Sequence, residues 1–71
     1  MNNASNQLPL RVVLYPKDVE NITGRGSRTA RRLLQKIKTA CGKSRNEFVT
    51  IHEFSHFTGI PHQLIEDFLR F

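Results

Sequence analysis

The chain has no tryptophan, and it has one cysteine, one methionine and one tyrosine. A lone cysteine, Cys41, cannot close an internal disulfide, so no covalent staple is expected and the composition suits a reducing cytoplasm. The apolar stretch Leu8–Tyr15 is interrupted by Pro9 and Arg11. It is too short for a signal-peptide core with its cleavage site, and far too short to cross a bilayer. Catalytic signatures are equally scarce. Nothing specifies a nucleophile elbow, and Gly24–Arg25–Gly26 lacks the spacing and the Lys-Ser/Thr ending of a phosphate-binding loop. A non-enzymatic protein is therefore expected.

A further scarcity is local. No acidic residue lies between positions 24 and 45, where Arg25, Arg28, Arg31, Arg32, Lys36, Lys38, Lys43 and Arg45 give a charge of +8. Residues 1–23 balance to zero, with Arg11 and Lys17 against Asp18 and Glu20. Residues 46–71 sum to −3, with Arg70 against Glu47, Glu53, Glu66 and Asp67. The overall +5 is thus one concentrated basic block, which attracts polyanions. Double-stranded DNA is the first partner to expect; an acidic protein is the alternative.

What the chain does contain is one pattern written twice. Val19–Glu20–Asn21–Ile22–Thr23–Gly24 is followed by Thr29–Ala30 and Leu33–Leu34. Thirty-five residues later, Phe54–Ser55–His56–Phe57–Thr58–Gly59 is followed by Leu64–Ile65 and Phe68–Leu69. Each copy reads as two short helices joined at a Thr-Gly turn, the outline of a helix-turn-helix unit. Two of the differences between the copies fall at the turn packing: Glu20 and Arg25 in the first stand where the second has Ser55 and Ile60.

Residues 1–8 are Asn/Ser/Gln-rich and read as a disordered leader; residues 9–71 form one domain, with pseudo-repeats at about 14–41 and 49–71. Leu10–Tyr15 is β-branched and aromatic enough for a strand. Pro16 suits the first position of a helix that ends at Gly24. Gly26 or Ser27 caps a second helix reaching Ala40 or Cys41, with Ala30, Leu33, Leu34, Ile37 and Cys41 as its apolar stripe. A polar, mobile connection, 42–46, leads to a second short strand at Phe48–Thr50. Thr50-x-x-Glu53 is a capping box opening a third helix that ends at Gly59. Pro61 begins a fourth, with Leu64, Ile65, Phe68 and Leu69 as its apolar face. The expected fold is mainly α: four short helices in two helix-turn-helix-like pairs, with a minimal, winged-helix-like two-stranded β element relating them about a pseudo-two-fold axis.

At 100° per residue, Arg28, Arg32, Gln35 and Thr39 lie opposite the apolar stripe of the second helix, flanked by Arg31, Lys36 and Lys38. A basic helix in second place is what major-groove entry requires. The candidate DNA-binding residues are Arg25, Ser27, Arg28, Arg31, Arg32, Gln35, Lys36, Lys38, Lys43 and Arg45. Arg28, Arg31 and Arg32 fall near bases, since Arg reads guanine bidentately. Arg25, Lys36 and Lys38 fall near phosphates, with Lys43 and Arg45 as backbone clamps from the loop.

Lys17–Asp18–Val19 through Thr23–Gly24, then Ser27–Arg28–Thr29–Ala30–Arg31–Arg32–Leu33, resembles the helix-turn-helix of excisionase-like and MerR-like DNA-binding proteins over about 20 residues. Val19, Gly24, Thr29, Ala30 and Leu33 hold the matching positions. The resemblance implies a small bacterial DNA-binding protein, cytoplasmic or nucleoid-associated, acting as a transcriptional regulator or excisionase-like factor without a cofactor. Dimerisation through Phe68, Leu69 and Phe71 would supply a second half-site.

A third pattern competes for the second copy. His52–Glu53–Phe54–Ser55–His56–Phe57–Thr58–Gly59–Ile60–Pro61–His62 matches the H-E-x-x-H-x-x-G-x-x-H signature of metzincin zinc proteases, in which three imidazoles hold zinc and the glutamate is the base. That family carries a substantial sheet ahead of the motif and a Met-turn after it, whereas here the only methionine is Met1. The repeat accounts for the same residues without metal. Gly59 is the counterpart of Gly24, and His52 and His56 are counterparts of Lys17 and Asn21 on a polar helix side. Surface histidines, with no metal ligand among them, are expected.

Overall fold

A computed structural model describes residues 12–69. The element order is β1 (Val13–Leu14), α1 (Pro16–Thr23), α2 (Ser27–Ala40), β2 (Val49–Thr50), α3 (Ile51–Thr58) and α4 (His62–Leu69). The fold is mainly helical, with one small antiparallel sheet. The expected leader, the Leu10–Arg11 start of the first strand and the terminal Phe71 lie outside the described residues.

The sheet register explains why the chain repeats. Leu14 pairs with Val49 and Val13 with Thr50. Leu14 and Val49 are thirty-five residues apart, so equivalent positions of the two copies face each other. An antiparallel ladder centred on an equivalent pair is what a local two-fold axis produces. The same symmetry brings Tyr15 against Phe48, with ring centroids 5.9 Å apart and planes at 80°. It fails at one bond for a chemical reason. The Ile51 N–H donates to the Val12 carbonyl at 2.9 Å, whereas Ile51's counterpart is Pro16, which has no N–H.

Helix ends repeat as faithfully. In each copy a threonine hydroxyl donates to the carbonyl four residues back, Thr23 to Val19 and Thr58 to Phe54, both at 2.7 Å. The same oxygens accept from the N–H two residues on, Arg25 and Ile60, both at 3.2 Å. Gly24 and Gly59 follow at φ 73° and 79°, left-handed values that a side chain would penalise by about 1 kcal/mol or more. The Thr-Gly pair is therefore a helix stop built from one hydroxyl and one missing Cβ. At the helix starts the copies differ. Thr50 and Glu53 exchange both bonds of a capping box, while in α1 the Asp18 carboxylate accepts from the Tyr15 N–H at 2.8 Å.

Both copies feed one hydrophobic core. The equivalent pairs Leu14/Val49, Val19/Phe54, Ala30/Ile65 and Leu34/Leu69 are all buried, joined by Ile37 and Ile51. Ile22, Leu33 and Ile60 pack at its edge. Three expected core positions are corrected. Cys41 is exposed, because α2 has ended at Ala40 and Cys41 is its C-terminal cap. The apolar face of α4 splits: Ile65 and Leu69 enter the core, whereas Leu64 and Phe68 are 54% and 51% exposed. Leu69 is accordingly spent on the core and is not free for dimerisation.

Candidate nucleic-acid interface

Helix α2 is the longest among the described residues, and its fourteen residues span roughly 20 Å. Ala30, Leu34 and Ile37 anchor one side in the core. That anchoring turns Arg28, Arg31, Arg32, Gln35, Lys36 and Thr39 outward, and all six are exposed. Ser27 is exposed at the helix start, with Gly26 as the N-terminal cap. Arg25 projects from the turn beside Thr23, Thr29, Arg32, Leu33 and Lys36, which together border a shallow groove. Among the described residues no ion pair engages Arg25, Arg28, Arg31, Arg32 or Lys36.

Substitution within the repeat creates the Arg25 position. In the second copy Ser55 donates its hydroxyl to the Ile60 carbonyl at 2.7 Å, and Ile60 packs against the core. The first copy has Glu20 and Arg25 at those places, so a packing position becomes an outward charge.

Two expected phosphate contacts have other duties. The Lys43 ammonium sits 3.0 Å from Glu53, with the two side chains only 19% and 25% exposed. The Lys38 ammonium donates to the Arg45 carbonyl at 2.9 Å. Glu47 further accepts from the Ser44 N–H. The 42–46 connection, expected to be mobile, is thus tied to α2, to α3 and to itself. The bond to α2 arises because Lys38, two residues before the helix end, reaches the loop that follows it. Arg45 keeps its guanidinium exposed.

Glu53 is held at several atoms. Burial alone would raise its pKa, but the backbone N–H of Thr50, the Lys43 ammonium and the Thr50 hydroxyl outweigh that and keep the carboxyl below its ordinary value. Those bonds commit the group that the zinc-protease pattern would use as a base. The histidines of that pattern have other neighbours as well. His62 bonds Glu66 through Nδ1 at 2.9 Å, and its ring lies 6.1 Å from that of His52. His56 is exposed. No group of three or more His, Cys, Asp or Glu among the described residues is placed to hold a metal ion.

Tyr15 and Phe48 read from the sequence as strand residues without a role of their own. Both are half-exposed beside Arg31 on the outer side of the sheet. Strand alternation was the available signal, since with Leu14 and Val49 inward their neighbours must face out.

No family model matches the chain, and no characterised protein or solved structure matches it either. No helix among the described residues is long and apolar enough to cross a membrane.

Proposed function

We propose that this protein is a small sequence-specific DNA-binding protein, a transcriptional regulator or excisionase-like factor that lays α2 in the major groove. The observation that carries the reading is the outer face of α2, with four arginines or lysines and one glutamine exposed and no acidic side chain among them. Arg28, Arg31, Arg32 and Gln35 address base edges; Arg25 and Lys36 address phosphates on either side. Arg45 reaches the backbone from the loop, and Lys38 and Lys43 hold that loop in place. Location would follow the partner, in the cytoplasm on the nucleoid. A second copy or a protein partner on the exposed Leu64–Phe68 strip of α4 would extend recognition to two half-sites.

The helix-turn-helix resemblance of residues 17–33 supports the same helix as the reader. A competing function, an adaptor whose basic helix docks on an acidic protein, would use the same charges without reading bases. Titration with mixed-sequence duplex DNA separates the two. Binding should weaken steeply with salt, and Arg28→Ala or Arg32→Ala should alter the preferred sequence as well as the affinity. Absence of binding at low salt, with retention of an acidic peptide, would favour the adaptor.

A further inference from the structure

The pseudo-two-fold relates two surface clefts flanking the small sheet, and they have diverged in chemistry. The first is about 260 Å³ and opens between α2 and the strands. Leu34 lies at its base, Tyr15 and Phe48 form an aromatic wall, and Arg31, Gln35 and Lys38 line it with polar groups. The second cleft includes Thr50, Ile51 and Glu66, the counterparts of Tyr15, Pro16 and Arg31. An aromatic and a cation in one half thus stand where the other half has a hydroxyl and an acid.

Tyr15 and Phe48 lie outside the core. Leu14 and Val49 already close the core beneath them, and the second half makes the corresponding contact with Val13 and Thr50. Phe48 nonetheless leaves 55% of its surface in water and Tyr15 43%. Among the described residues no acidic side chain lines the first cleft. Lys38 already donates to the Arg45 carbonyl, so Arg31 is the cation without a partner among the described residues.

We propose that this cleft binds a planar aromatic anion of one or two fused rings. The ring stacks on Phe48 and meets Tyr15, whose plane stands at 80° to that of Phe48, edge to face above Leu34, and the acid group pairs with the Arg31 guanidinium while Gln35 offers an amide donor. The volume lies just below the usual range of ligand pockets, which limits the occupant to a ligand of that size. Stacking and a charge-assisted bidentate contact supply its two sources of affinity. A free aromatic acid and a nucleotide, with its base and phosphate, both present this chemistry. The site shares Arg31 and Gln35 with the face proposed to read DNA, and its test is made without DNA, so that failure here and failure of duplex binding are separate results.

Tyr15 is the only tyrosine, so its ring resonances report on this cleft without ambiguity. The full chain, without DNA, is titrated with indole-3-carboxylate and separately with thymidine 5′-monophosphate. Saturable shifts of the Tyr15 and Phe48 ring protons with at least one probe are expected, and the responding probe identifies the source. Arg31→Gln and Phe48→Ala should each weaken binding about tenfold. Both positions are exposed, and unchanged shifts of the buried Phe54 and Ile65 would verify that each variant is folded. Neutral indole and cyclohexanecarboxylate, each lacking one half of the recognition, should bind about tenfold more weakly than indole-3-carboxylate. Absence of saturation with both anions at ten millimolar, or equal binding of cyclohexanecarboxylate, would overturn the site.

Discussion

The two halves of this molecule share a scaffold and part company on the surface. Their helices start after paired strand residues, stop at the same Thr-Gly device, and fill one core with side chains at equivalent positions. Outside the core the substitutions follow a direction. Arg25 replaces Ile60, Arg31 replaces Glu66 and Arg32 replaces Asp67. The second half keeps the better-packed turn, through Ser55 and Ile60, and exposes Leu64 and Phe68 where the first has Thr29 and the partly buried Leu33. A repeated unit can therefore keep its packing constant while one copy presents a basic surface and the other an acidic, apolar one. Burial constrains the shared positions; solvent leaves the others free to diverge.

The largest expected effect attacks what the halves share. Phe54 is fully buried, and Phe54→Ala should cost about 3–5 kcal/mol in urea unfolding, enough to unfold much of a small domain. Phe57→Ala, on the exposed side of the same helix, should cost less than about 1 kcal/mol. Equal costs would mean that the core is not centred where the pseudo-two-fold puts it.

Next comes what separates the halves. Arg28→Ala should remove about 1–3 kcal/mol of DNA-binding free energy and relax sequence preference, as read by binding to a set of single-base variants of a selected site. Asp67→Asn, at the position equivalent to Arg32, should change DNA affinity by less than about twofold, since screening damps charges outside the contact. A larger effect from Asp67 would place the second half in the interface.

The helix stops make a finer comparison. Thr23→Val and Thr58→Val each delete one hydroxyl with two bonds, and each should lower stability by about 0.5–1.5 kcal/mol in thermal melts. Matching values would confirm that the two stops are energetically equivalent. A mismatch above about 1 kcal/mol would show that packing around Ile60 shares the load in the second copy.

The smallest effect is electrostatic and belongs to one half. Glu53 has a folded pKa below its ordinary 4.5, so its bonds contribute stability above that value. That contribution is lost as pH falls through the lower folded value. Glu53→Gln should flatten the acid limb of the stability profile, and a profile unchanged by the substitution would remove Lys43–Glu53 from the account.

Much of the architecture was legible in the sequence because its signals are local. Pro16, Gly24, Gly59 and the Thr50–Glu53 box each set a backbone conformation within a few residues, and the helices begin and end there. The basic face of α2 was legible because Ala30, Leu34 and Ile37 fix its rotation. What could not be read depends on distant partners. Whether Lys43 is free depends on where α3 brings Glu53, and whether Leu64 or Leu69 is inside depends on how α4 meets α1. Cys41 was misjudged because periodicity continues past the residue at which the helix stops. The cleft at Tyr15 and Phe48 needed the strand register, which no short window of sequence carries.

The central claim is that the first half's outer face, and not net charge alone, binds DNA. It is tested most directly by the salt dependence of duplex affinity for the native chain and for Arg25→Ala/Lys36→Ala. A log–log slope of about −3 to −5 is expected for the native chain, reduced in magnitude by about 2 in the variant. No duplex binding at low salt, or the same slope for both proteins, would contradict it.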